Sequence, residues 1–166
     1  MTRFPVKTLI TILAFFVFDQ LSSATDNYGY GDHEFVTITK GISPNGQFAI
    51  TVHGEGEYGY DNFHVYLTDA RTGNNLGALE EIVNILDTGA GSYVAKWSKD
   101  SSTVTIVWRW SRHHPFLSIT YRINARKAIP LTKTPVDSDE LGTYWSQNCS
   151  RSQQTPRRFG TPKKHE

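Results

Sequence analysis

Cysteine is nearly missing: Cys149 is the single thiol among 166 residues. A chain with one cysteine closes no internal disulfide, so apolar packing has to hold the fold, and a bridge at Cys149 joins two molecules or none. Also missing are the spacings that mark common chemistry. The sequence has no zinc-ligand spacing of Cys and His, no Gly-x-Ser-x-Gly elbow and no phosphate-cradling glycine loop between a strand and a helix. Hence no catalytic residue, metal ligand or cofactor is assigned. Long apolar runs are missing too, apart from residues 9–18.

That one run reads as an address. Arg3 and Lys7 precede it and Ser22-Ser23-Ala24 follows it, the pattern of a secretory signal over residues 1–24. It is shorter than the roughly 20 residues of a bilayer-spanning helix. The mature chain is then expected to begin near Thr25, to carry no transmembrane segment, and to be secreted or periplasmic. About 140 residues remain, enough for one domain with a core.

Charge divides the remainder. Residues 25–146 carry fourteen acidic and ten basic side chains, whereas residues 147–166 carry five basic ones and Glu166. With Pro156, Pro162 and few apolar side chains, residues 147–166 are expected to form a flexible, disordered basic tail that buries too little to offset its ordering entropy. Five charges with a single aromatic, Phe159, among them make a weak case for nucleic acid as a partner. Asn148-Cys149-Ser150 matches the glycosylation triplet, which chance also supplies.

What the sequence does have is a duplication. Residues 43–73 lie without a gap on residues 98–128, an offset of 55: Ser43 on Ser98, Asn45 on Asp100, Val52 on Val107, Tyr66 on Tyr121, Ala70 on Ala125 and Arg71 on Arg126. Repetition at this period marks a supersecondary unit that buries its apolar face against its copy. The segments 48–52, 63–67, 93–97, 103–108 and 116–121 are rich in β-branched and aromatic residues, and turn-forming Asn, Gly, Asp and Ser lie between them. The fold class is therefore all-β, built of antiparallel hairpins over residues 25–146. Residues 78–85 offer a short helical stretch, and Gly142-Thr143-Tyr144-Trp145 an edge strand.

The strings Ser43-Pro44-Asn45-Gly46-Gln47-Phe48-Ala49-Ile50 and Trp97-Ser98-Lys99-Asp100-Ser101-Ser102-Thr103-Val104 resemble the turn and strand of WD-like β-propeller repeats of exported bacterial proteins. The resemblance covers roughly residues 35–131 and implies a four-stranded meander per unit. Propellers close with about four blades or more, and this chain has two units, about 35–81 and 82–131. The expected solution is two blade-like meanders packed as a small sandwich or half barrel; chains completing a ring together are the other. If the units are equivalent, Tyr66 and Tyr121 have like surroundings and the matching loops share a border.

Those loops are the candidate surface. The first, at 53–61, brings Glu55, Glu57, Tyr58 and Tyr60; the second, at 108–115, brings Trp108, Arg109, Trp110, Arg112 and His113. Ion pairs from Glu55 and Glu57 to Arg109 and Arg112 would close the surface at roughly 0.2–1 kcal/mol each. Alternatively the aromatics stack on a ligand that the charges orient. His113 and His114 would point to opposite faces of a strand and share no metal there; in a loop they could, with His53 or Asp61 as further ligands, but none of the tight ligand spacings of zinc sites is present. The expected function is a non-catalytic binding or interaction module for an extracytoplasmic protein or polymer. Two alternatives remain: a structural protein that self-associates through sheet edges, and an aspartic protease-like hydrolase. The latter rests on Ile85-Leu86-Asp87-Thr88-Gly89-Ala90, which resembles that family's catalytic motif and would need a second Asp87 from a dimer mate; a hydrogen-bonded turn is the other reading of that string.

Overall fold

The computed structural model describes residues 30–111, 113–137, 139–149 and 156–160. The expected leader at residues 1–24 lies outside them.

The duplicated turns are duplicated bond by bond. Ser43 Oγ accepts the N–H of Phe48 at 2.9 Å, and Ser98 Oγ accepts that of Thr103 at 3.0 Å. Asn45 Oδ1 accepts the N–H of Gln47 at 3.0 Å, and Asp100 Oδ1 that of Ser102 at 3.1 Å. Each turn needs one residue of positive φ, supplied by Gly46 (66°) and Ser101 (61°). The turns touch, the Asn45 N–H donating to Ser101 Oγ at 3.1 Å.

From these turns grow two meanders of four strands. The first is β1 (Phe35–Ile42), β2 (Phe48–Glu55), β3 (Asp61–Asp69) and β4 (Asn75–Ala78); the second is β5 (Val94–Trp97), β6 (Thr103–Arg109), β7 (Phe116–Asn124) and β8 (Lys127–Pro130). The offset of 55 carries the starts of β2 and β3 onto those of β6 and β7. Within each meander pairing is antiparallel, and the meanders join through parallel β1 and β5 at Thr39 and Val94. The order β4-β3-β2-β1-β5-β6-β7-β8 forms one sheet that curls until β4 and β8 approach, a nearly closed barrel. The all-β expectation holds.

Equivalence of the units does not hold side chain by side chain. The core takes Ile50 and Val52 from β2 and Val65 and Leu67 from β3, but Val104, Ile106 and Trp108 from β6 and Ile119 and Tyr121 from β7. An offset of 55 would have placed Thr105 and Val107 inside instead. Two halves joined through parallel strands are related by a rotation about the strand direction, which exchanges the faces of matching residues. Tyr66 is accordingly half-buried on the outside against the Phe35 ring, 5.1 Å away. Tyr121 is fully buried, its hydroxyl donating to Glu81 at 3.0 Å.

Some outer positions are covered as well. The segment expected to give an edge strand is instead helix α1 (Asp139–Cys149), reached through the short strand β9 (Val136–Asp137) on β7. Leu141, Tyr144, Trp145 and Asn148 recur at helical spacing. The helix lies across β5, β6 and β7, where Tyr144 OH donates to Ala95 O (3.2 Å) and Trp145 Nε1 to Ser92 O (3.0 Å). Residues 78–85 form the end of β4 and turns, closed by the Ile82 N–H to Leu79 O (3.1 Å).

The expectation of a free tail from residue 147 likewise fails where the structure describes it. Residues 147–149 complete α1, and Arg158–Phe159 form β10, antiparallel to Phe35 and Val36. One apolar side chain decides this: Phe159 is buried with Ala49, Ala70 and Phe35. Arg158 adds a bond to Glu34 at 2.7 Å.

A clasp crosses the seam between the sheet's ends. Arg126 Nη2, in the β7–β8 turn, donates to Asp69 Oδ2 at 2.7 Å. The N–H groups of Thr72 and Arg71, and then Arg126, hold the Asp69 carboxyl at about 2, below the usual 3.8. The Ser98 hydroxyl and the Ser102 N–H and hydroxyl do the same for Asp100, also to about 2. A lowered acid pKa means the fold favours the charged form, so this stabilisation is complete above about pH 4 and is lost as pH falls through about 2. Urea midpoints should therefore drop from pH 4 to pH 2, and less steeply in Asp69→Asn. The inversion of faces makes a second prediction. Trp108→Ala, at a fully buried site, should cost about 3–5 kcal/mol in urea denaturation, and Trp110→Ala, at the surface, about 1 kcal/mol or less.

Candidate functional site

Because β1 and β5 run the same way, β2 and β6 do too, and the loops that follow them emerge at the same end of the barrel. Both candidate loops thus belong to one rim. Their residues do not all belong to it. Trp108 leaves the set: its place in β6 points inward, it is 0% exposed, and its Nε1 has no hydrogen-bond partner. Arg112 lies outside the described residues.

The first loop is folded tightly by its glycines. Gly56 and Gly59 have φ of 80° and 69°, and the Gly59 N–H donates to Gly56 O at 3.2 Å. Gly54 is pressed so closely on the Gly59 carbonyl that a Cβ there would overlap the oxygen. Beneath the loop, Thr88 Oγ1 donates to Tyr58 O at 2.7 Å. This packing leaves Tyr58 and Tyr60 51% and 60% exposed, their rings 6.4 Å apart, with Glu55 and Glu57 exposed beside them.

Thr88 belongs to the string that resembled a protease motif. Asp87 Oδ1 accepts the Gly89 N–H at 2.9 Å, and Asp87 O accepts the Tyr93 hydroxyl at 2.9 Å. Tyr30 donates its hydroxyl to Thr88 O. These polar groups are used in a turn that ties the N-terminal segment and the first loop to the end of the barrel.

Between that segment and the loop lies a cavity of about 360 Å³ lined by Tyr30, Asp32, His33, His53, Gly54, Glu55 and Gly56. His53 forms a wall. Its Nδ1 is 2.6 Å from Glu34 O, and since a carbonyl only accepts, Nδ1 carries the proton. Tyr30 meets the His53 ring edge-on at 5.7 Å, and Phe35 lies 5.0 Å away. Glu34 is held by Arg158 and by the Gly31 N–H (3.0 Å); burial works against its charged form, but these donors outweigh it and lower its pKa. Sequence reading passed over the cavity because Tyr30 and His33 are distant from His53 along the chain and precede the duplicated segment.

The second loop is built on stacking. Trp110, 39% exposed, lies against the His114 ring at 4.2 Å. The His113 N–H bonds Ser111 Oγ at 3.4 Å, and His113 itself is exposed. Of the ion pairs considered for this end, those with Arg109 are not made, and Arg112 lies outside the described residues, among which the pairs are His64–Glu80, Asp69–Arg126 and Glu34–Arg158. Arg109 instead faces the rings of Phe116 and Trp145, at 5.5 and 5.3 Å. Stacking on rings in a half-buried place exceeds what an exposed pair with Glu55 or Glu57 offers.

The rim therefore combines exposed tyrosine and tryptophan faces, two exposed carboxylates and a polar cavity. Among the described residues no group of three His, Cys, Asp or Glu is placed to hold a metal, and no helix is long and apolar enough to cross a membrane. In comparison with known proteins, the chain matches no family model, no curated protein and no solved structure.

The loop's packing can be tested directly. Gly54→Ala should cost about 1–3 kcal/mol and broaden the NMR signals of Tyr58 and Tyr60, because the added methyl must displace the Gly59 carbonyl.

Proposed function

We propose that this protein is an exported, non-catalytic binding module. Its rim, formed by loops 53–61 and 108–115, engages a protein or polymer outside the cytoplasm. Tyr58, Tyr60 and Trp110 supply the contact area, Glu55, Glu57 and His113 orient the partner, and the cavity beside His53 accepts a projecting group. Trp108 and Arg109 act from behind, one as core and one as a stacked support.

The observation that carries this reading is the parallel pairing of Thr39 with Val94, which turns both aromatic loops toward the same end. Large rigid aromatics on a tightly packed loop lose little entropy on binding, which suits a recognition surface. Their exposure also needs a reason, since burying such rings is what a core ordinarily uses them for.

The test is affinity capture from the extracellular or periplasmic extract with wild type and with the triple variant Tyr58→Ala, Tyr60→Ala, Trp110→Ala. The expected outcome is loss of capture with the urea midpoint almost unchanged. Capture of the same partner at wild-type strength by the folded triple variant removes the rim as the surface.

A further inference from the structure

We propose that a second site, on the outer side of β1 between the end of α1 and β10, binds an oxyanion: a phosphate, sulfate or carboxylate group held by Lys40, Arg157 and Thr37. This site is separate from the aromatic rim. It is a cleft of about 440 Å³ bounded by residues 37–42, Ala90, Gly91, Pro156 and Arg157. It exists because β1 changes neighbours there. β10 pairs with Phe35 and Val36, β5 only at Thr39, and β2 loses register between Thr37 and Ile42.

Among the described residues the charges in the cleft are of one sign: Lys40 and Arg157 line it, no acidic side chain does, and neither cation is in an ion pair. Both rest on ring faces. Lys40 Nζ lies 5.4 Å from the centre of the Tyr144 ring, and the Arg157 guanidinium 4.9 Å from that of Phe159. Lys96 shares the Tyr144 ring at 5.5 Å. A ring face holds a cation in place without neutralising it, so the charge is left for a ligand.

The buried polar inventory points the same way. Thr37, 6% exposed, lines the cleft, and its Oγ1 has no hydrogen-bond partner. An orphaned buried hydroxyl is unfavourable, and a small rotation of the side chain toward a ligand oxygen would satisfy it. The backbone is shaped for the purpose as well. Lys40 has a φ of 54°, in the left-handed region that glycine occupies more cheaply. The bulge leaves its side chain exposed at the cleft. An oxyanion there receives a point charge from lysine, a fork of donors from arginine and a hydroxyl from threonine.

The experiment is an NMR titration of the ¹⁵N-labelled protein at pH 7 with sodium phosphate, sulfate or acetate, against sodium chloride at matched ionic strength. The expected result is saturating shifts confined to Thr37, Lys40, Gly41, Gly91 and Arg157 with at least one oxyanion, the strongest binder naming the group. Lys40→Gln with Arg157→Gln should abolish saturation, and Thr37→Val should weaken it about tenfold. Melting curves confirm that each variant is folded, and the double variant decides alone should Thr37→Val unfold. Shifts that chloride reproduces, or saturation that survives in the double variant, overturn the proposal.

Discussion

One strand-to-strand contact organises this molecule: β1 and β5, running the same way, share the bond from Thr39 N–H to Tyr93 O at 3.2 Å. Parallel pairing of the leading strands of two meanders sends every later strand outward in opposite directions around one sheet. It also sets the loops after β2 and β6 on one end and the duplicated serine turns on the other. β1 serves both halves, and it does so by breaking step. Gly41 sits where a side chain would meet Ile50 O at 2.6 Å, so the bulge that turns β1 toward its second partner depends on the smallest residue.

The same contact explains why a chain end is needed on the outside. When two halves are related by rotation about the strands, apolar residues conserved between copies cannot all face inward. Val107, the counterpart of the interior Val52, is on the outer side of β6, yet it is fully buried, as is Val94 of β5. Helix α1 crosses this region. Around the other half, Ala49 and Ala70 find their cover in Phe159. Residues 139–149 and 156–160 thus act as a strap, helical over one meander and extended beside the other.

How much of this the sequence disclosed depends on the range of the interaction. The Ser43 and Ser98 turns were legible because their bonds reach no further than five residues, and strand positions followed from β-branched runs between them. Facing was not legible: an alternation of period two fixes which residues share a side, but the side that becomes interior is chosen by how β1 meets β5. Trp108 was misread for that reason, while Tyr58, Tyr60 and Trp110, placed in turns, were read as exposed and are. The helix escaped notice because Gly142-Thr143-Tyr144-Trp145 has a β-like composition, whereas Leu141, Tyr144 and Trp145 have helical spacing. Phe159 and Arg158 act across 124 residues, from Arg158 to Glu34, a distance over which composition alone carries no signal.

The strap gives the molecule a defined order of completion. Residues 158 and 159 are the only strand that the described chain lays against the Phe35 and Val36 end of β1 on the side away from β2. As the polypeptide emerges from the ribosome, that border of the sheet lacks this partner, and Ala49 and Ala70 lack the cover of Phe159, until residues 158 and 159 arrive. Nascent and prematurely ended chains would share this raw margin, the kind of surface that chaperones and proteases read as unfinished.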